Sequence, residues 1–79
     1  MIYPFNEFVR DLKLGREVEF TYNNIGYFIS YDNRGSTLFK EDDKTIQIFK
    51  DFDELLTNAR IDSKPLIQVW GEVRSVTVY

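Results

Sequence analysis

The stretch from Arg16 to Tyr31 constrains the fold most, because it specifies its own pairing. Val18, Phe20 and Tyr22 alternate with Glu17, Glu19 and Thr21, the period of two expected of a strand with one buried face. Tyr27, Ile29 and Tyr31 resume the alternation after a short polar break. Asn23-Asn24 suits a two-residue turn, since Asn tolerates the positive φ that a type I′ hairpin requires. That turn pairs Phe20 with Tyr27 and Val18 with Ile29, so the large residues share one face. A four-residue loop over Asn23 to Gly26 shifts the partners and leaves the faces unchanged. Either way the hairpin presents an apolar wall that the rest of the chain must cover.

The segments on either side carry helical stripes that fit that wall. Phe5, Phe8, Val9 and Leu12 fall at i, i+3, i+4 and i+7, with Pro4 suited to the first turn and Gly15 placed to end the helix in the left-handed conformation. Phe52, Leu55, Leu56 and Ala59 repeat the stripe over Asp51 to Arg60. Asp51 and Glu54 stand there as a capping box, and Arg60 closes the last turn. A third stripe, Leu66, Val69, Trp70 and Val73, follows Asp62-Ser63-Lys64-Pro65, with Ser63 or Lys64 as its cap. Gly71 weakens this helix by up to ~1 kcal/mol relative to Ala.

Between the hairpin and the second helix, Asp32-Asn33-Arg34-Gly35 is a turn by composition. Ser36 to Lys40 and Thr45 to Phe49 are two further short strands, joined by the acidic turn Glu41-Asp42-Asp43-Lys44. The alternation of the last strand puts Ile46 and Ile48 in the core and Phe49 on the opposite face. The register of Leu38 against Phe39 stays open. Short connections make these strands antiparallel neighbours in a meander.

These elements specify an α+β domain, an antiparallel sheet of about four strands with three helices on one face, in the order α-β-β-β-β-α-α. Val76 and Val78 alternate with Thr77 and Tyr79, so residues 73–79 are a candidate fifth strand. The alternative, with residues 66–79 all extended, fits the third helical stripe less well. At 79 residues the chain is expected to form one domain, residues 1–79, near the small end of what folds alone.

The composition excludes most chemistry. With no cysteine there is no disulfide, zinc finger or thiol nucleophile, and with no histidine the commonest general base and metal ligand are missing. Ser30, Ser36, Ser63 and Ser75 therefore have no histidine to activate them, and the four glycines form no phosphate loop. The expectation is a protein that is not an enzyme and uses no cofactor. No run approaches the roughly 18–20 apolar residues of a membrane span, and the first residues lack a signal-peptide pattern, which together point to a cytoplasmic protein.

Charge patterning is more informative. Residues 41–54 hold six carboxylates against Lys44 and Lys50, a net of −4, while the whole chain is at −3. Asp42, Asp43, Asp51, Asp53 and Glu54 do not match the ligand spacing of a calcium loop, and an acidic turn plus an acidic helix cap account for them without a metal. Phe28, Phe39 and Phe49 are candidates for the sheet face away from the helices, where some α+β domains stack bases. Glu17 and Glu19 beside Phe28 repel phosphate, so direct nucleic-acid binding is not expected. Two uses of these features remain: a charged surface of Glu41, Asp42, Asp43, Asp51, Asp53 and Glu54 that engages a basic protein groove, or a solvated face that keeps the domain soluble.

Gly15 to Asn24, then Tyr27 to Ser30, then Phe49 to Trp70 together resemble a family of small phage and prophage proteins of Gram-positive bacteria. The similarity runs from Phe5 to Val73. This chain has Asn24 where such sequences often have Gly, and Pro65 and Gly71 in a last helix that is usually more polar. The resemblance implies no catalytic residues. It implies a phage-encoded accessory protein that binds and inhibits or modulates a host protein, such as a CRISPR nuclease, in the host cytoplasm; the charge pattern adds that this partner has a basic surface. The partner-binding residues would be the six carboxylates and Phe28. The alternative from another class is a homo-oligomeric interaction module, a homodimer burying the Phe28 face.

Overall fold

The structure, a computed structural model, describes residues 3–79. The first helix, α1 (Phe5–Lys13), starts after Pro4, whose carbonyl accepts from the N–H groups of Glu7 and Phe8. It ends in a full Schellman motif: Gly15, at φ +85°, donates to Leu12 and Arg16 donates to Asp11. Phe8 and Leu12 are buried, and Phe5 and Val9 pack half-buried beside them.

The strands β1 (Val18–Tyr22) and β2 (Ile25–Asp32) pair antiparallel with Val18 opposite Ile29 and Phe20 opposite Tyr27. This is the register of a two-residue turn, and Asn23 and Asn24 sit at φ 55° and 64°. The rings of Phe20 and Tyr27 stack across the strands with centroids 5.4 Å apart. The next strand, β3 (Gly35–Lys40), follows the turn at Asn33-Arg34, and Leu38 is its core residue. Gly35, at φ +128°, lies so close to β4 (Ile46–Phe49) that a Cβ would run into the carbonyl oxygen of Phe49.

Parity in β4 is the reverse of the sequence expectation. Ile46 and Ile48 are 42% and 46% exposed, whereas Phe49 turns inward and packs half-buried on the core. The cause is Gln47. Its amide lies on the inner side, donating to the carbonyl of Arg60 at 2.7 Å and accepting from the N–H of Arg60 at 3.0 Å. It therefore satisfies a backbone segment that would otherwise have no partner on that side.

The second helix, α2 (Phe52–Asn58), is capped as expected, with the Asp51 carboxylate accepting from the N–H of Glu54 at 2.9 Å. It stops earlier than the stripe implies. Arg60 lies beyond it, in a small antiparallel hairpin of β5 (Arg60–Ile61) and β6 (Lys64–Pro65), and its guanidinium donates to the carbonyls of Thr57 and Ala59. Asp62 and Ser63, at φ 52° and 65°, make a second type I′ turn rather than a helix cap. The last helix is also shorter: α3 (Leu66–Val69) passes into a 3₁₀ turn over Trp70–Glu72. Pro65 precedes α3 without a side-chain cap, and the chain becomes extended at Val73.

The tail then forms β7 (Arg74–Val78), antiparallel to β1, with a bulge where Ser75 takes φ 54°. The protein is thus α+β, with a five-stranded antiparallel sheet of order β4-β3-β2-β1-β7, the β5–β6 hairpin and three helices. Helix residues Phe8, Leu12, Leu55, Leu66 and Val69 meet Val18, Phe20, Tyr27, Ile29 and Leu38 in one core, so all three helices cover the same sheet face. Trp70 joins the layers: its ring lies 4.0 Å from Phe8 and 5.3 Å from Phe20, and its Nε1–H donates to the Tyr3 carbonyl at 2.8 Å. Among the described residues no helix is long and apolar enough to cross a membrane.

Candidate protein-binding surface

Because strand side chains alternate, the residues between the core positions form the opposite face of the sheet, which no helix covers among the described residues. Cross-strand register arranges them in rows. Ile46 faces Phe39, Phe39 faces Phe28, Phe28 faces Glu19 and Glu19 faces Thr77, one continuous line across all five strands. The neighbouring row begins with Ile48 opposite Thr37 and Thr37 opposite Ser30. Ser30 donates from its hydroxyl to Glu17 at 2.6 Å. The row through Phe28 is therefore apolar over β2 to β4, the neighbouring row carries the hydroxyls of Thr37 and Ser30, and the face is acidic over β1.

Phe28 lies at the boundary between these halves. Tyr79 packs edge-on against it with centroids 6.1 Å apart, and the Tyr79 hydroxyl donates to Glu19 at 2.8 Å. That bond to a carboxylate raises the Tyr79 pKa, because it favours the protonated phenol. Phe39 carries the Lys44 ammonium over its ring at 5.7 Å. Of the three candidate phenylalanines, Phe28 and Phe39 lie on the open face and Phe49 does not; the register that the alternation leaves open for β3 is decided with Leu38 inward.

The six acidic residues separate into two groups. Glu41, Asp42 and Asp43 belong to the turn before β4, while Asp51, Asp53 and Glu54 follow it, so the whole strand stands between them. Several are also committed locally. Asp43 accepts from the N–H and hydroxyl of Thr45 at 3.0 and 2.6 Å, and these bonds hold its carboxyl below the usual carboxylate range. Asp51 caps α2, and Glu54 accepts from the N–H of Lys50 at 3.1 Å. Asp53 lies 4.0 Å from Lys13, and Asp42 lies 3.8 Å from Lys40. Exposed pairs of this kind contribute only about 0–1 kcal/mol each.

Among the described residues the carboxylates of Glu41, Asp42 and Asp53 accept no hydrogen bond, Glu41 has no ion pair either, and all three are exposed. Among the described residues no three carboxylates gather as metal ligands would. Burial, with the carboxylates of Asp62, Asp42 and Asp43 nearby, pushes the Tyr27 hydroxyl up to about 12.

Sequence reasoning missed three components. The alternation of Ile46 and Ile48 points them inward, and no local signal marks Gln47 as the inward residue. Tyr79 carries the right parity for the open face, but its neighbours depend on β7 docking beside β1. The third is a groove of about 640 Å³ between the N-terminal end of α1, the 3₁₀ turn and β7, lined by Tyr3, Phe5, Ile67, Trp70, Val76 and Arg74. It draws on segments far apart in the chain and has no local signature. Comparison of the chain with protein-family models, with curated proteins and with solved structures finds no match in any of the three.

Proposed function

We propose that this chain is a stoichiometric protein-binding module: a phage- or prophage-encoded accessory protein that inhibits or modulates a host protein with a basic surface, such as a defence nuclease. The observation that carries the reading is the uncovered sheet face, where the row Ile46–Phe39–Phe28 runs directly into Glu19. On this face Ile46 and Ile48 are exposed and Phe28 and Phe39 half-buried, and apolar side chains grouped on an uncovered surface mark a place for burial against another protein. The adjoining carboxylates of Glu17 and Glu19, and the exposed Glu41 and Asp42 at the end of β3, favour a partner that interleaves apolar residues with Lys or Arg. The phage setting and inhibitory role rest on the resemblance of Gly15–Asn24, Tyr27–Ser30 and Phe49–Trp70 alone. With neither histidine nor cysteine in the chain, binding rather than catalysis is the economical use of this surface.

The test uses immobilised protein and lysate of a Gram-positive host, with the parent compared against two variants. Phe28→Ser removes the central ring of the row, and Glu41→Lys with Asp42→Lys reverses two exposed charges that hold no hydrogen bond in the turn. Asp43 is left intact because it holds the turn. A partner retained in one-to-one ratio by the parent and released by both variants, each folded by circular dichroism, supports the proposal. Retention of nothing, or equal retention by all three proteins, overturns it.

A further inference from the structure

The two edges of the main sheet are β4 and β7, and they are not equivalent. The β7 edge is broken by the Ser75 bulge, which bends a strand away from further pairing. The β4 edge has no bulge, no proline and no charge within the strand. The register fixes which backbone groups are free. Lys40 donates to Thr45, so Gln47 and Phe49 face β3 with their N–H and C=O groups. Those of Ile46 and Ile48 consequently point outward, and no hydrogen bond among the described residues uses them. The same two residues expose their side chains on the open face.

We infer that β4 is the contact strand of a homodimer, pairing antiparallel with β4 of a second copy about a two-fold axis at Gln47. In this register Ile46 lies opposite Ile48 of the second copy and Ile48 opposite its Ile46. The free N–H and C=O groups then match as two doubly hydrogen-bonded pairs, and the two sheets join into one. The strand is thus complementary to itself, as a two-fold interface requires. The row Phe28–Phe39–Ile46 of one copy runs on into Ile48 of the other, which covers isoleucines that a lone chain leaves in water.

Charge weakens this contact: the register sets Lys44 of one copy opposite Lys50 of the other and Asp43 opposite Asp51, and it brings the acidic turn at 41–43 towards Asp53 and Glu54. A contact of one short strand is small, so the dimer belongs to the weak class and forms reversibly at high protein concentration.

Sedimentation equilibrium over a concentration series gives the first measurement, with a weight-average mass rising from 9.4 kDa towards twice that value. Amide hydrogen exchange by NMR on the unaltered protein gives the second: Ile46 and Ile48 gain protection as concentration rises, and other edge amides do not. Ile48→Pro removes an outward N–H that the monomer does not use, a position where an edge strand accepts proline, and returns the mass to that of the monomer. Should that variant lose its circular dichroism, Ile46→Lys with Ile48→Lys provides the same comparison. A monomer at millimolar concentration overturns the inference. So does a dimer in which the Ile46 and Ile48 amides exchange as fast as at dilution, which would mean association through the open face itself. Lysate binding that survives in Ile48→Pro separates this inference from the function proposed above.

Discussion

Replacing Trp70 by alanine should remove a large part of the stability of this domain. The side chain is 6% exposed and has aromatic neighbours in Tyr3, Phe5, Phe8 and Phe20, with ring centroids between 4.0 and 6.2 Å away. Truncating a buried aromatic to alanine costs about 3–5 kcal/mol, through lost contacts and the cavity that remains. Loss of the Nε1–H bond to the Tyr3 carbonyl adds on the order of 1 kcal/mol. Native stability of about 0.05–0.15 kcal/mol per residue gives a 79-residue chain roughly 4–12 kcal/mol in all. The loss of about 4–6 kcal/mol therefore removes from about a third to all of the native stability.

Urea denaturation followed by far-UV circular dichroism is the assay, since Trp70 is the sole tryptophan and its fluorescence disappears with it. With a slope near 1 kcal/mol/M for a small domain, a loss of about 4 kcal/mol lowers the midpoint by about 4 M. Trp70→Phe separates the two contributions: it keeps a ring in the cluster and loses the donor, for a cost of about 1–2 kcal/mol. An alanine variant within about 0.5 kcal/mol of the parent would refute the reasoning, because only a solvent-facing residue is replaced so cheaply.

Two further outcomes follow from single positions. Gly35→Ala should lower the melting temperature by about 10 °C or more, since an L-residue at φ +128° is strained by roughly 1–3 kcal/mol and its Cβ meets the Phe49 carbonyl; a shift below about 2 °C would mean that β3 and β4 are not this close. Stability should also fall as pH rises from 10 towards 12, because the folded state holds the Tyr27 proton up to about 12, and raises the pKa of Tyr3 and Tyr79 as well, while the unfolded chain releases these protons near 10. Urea midpoints that stay level across that window would place the Tyr27 hydroxyl in water.

Much of the architecture was legible locally. The alternation placed Phe20 and Tyr27 on one face whichever loop joined the strands, and Asn23 and Asn24 at positive φ take the two-residue turn that the Asn pair suits. Gly15 and Asp51 marked a helix end and a helix start through their own backbone and side-chain chemistry. The stripe Leu66, Val69, Trp70 identified core residues correctly even though the helix is only four residues long with a 3₁₀ turn. Apolar spacing reports which side is buried more reliably than how far a helix extends.

What the chain could not express locally was decided by non-neighbouring segments. Ile46 and Ile48 alternate as a buried pair does, yet they face outward because the Gln47 amide completes the backbone of Arg60, thirteen positions away. Asp62-Ser63 became a hairpin turn because the short strands on either side of it pair with each other. The acidic stretch is continuous in sequence, but β4 divides it, and several of its carboxylates are drawn into turn and cap bonds. Alternation along a strand determines which residues share a face, since that follows from backbone geometry alone. Which of the two faces is buried depends on what the rest of the chain brings against it, and that is settled only when the tertiary structure closes.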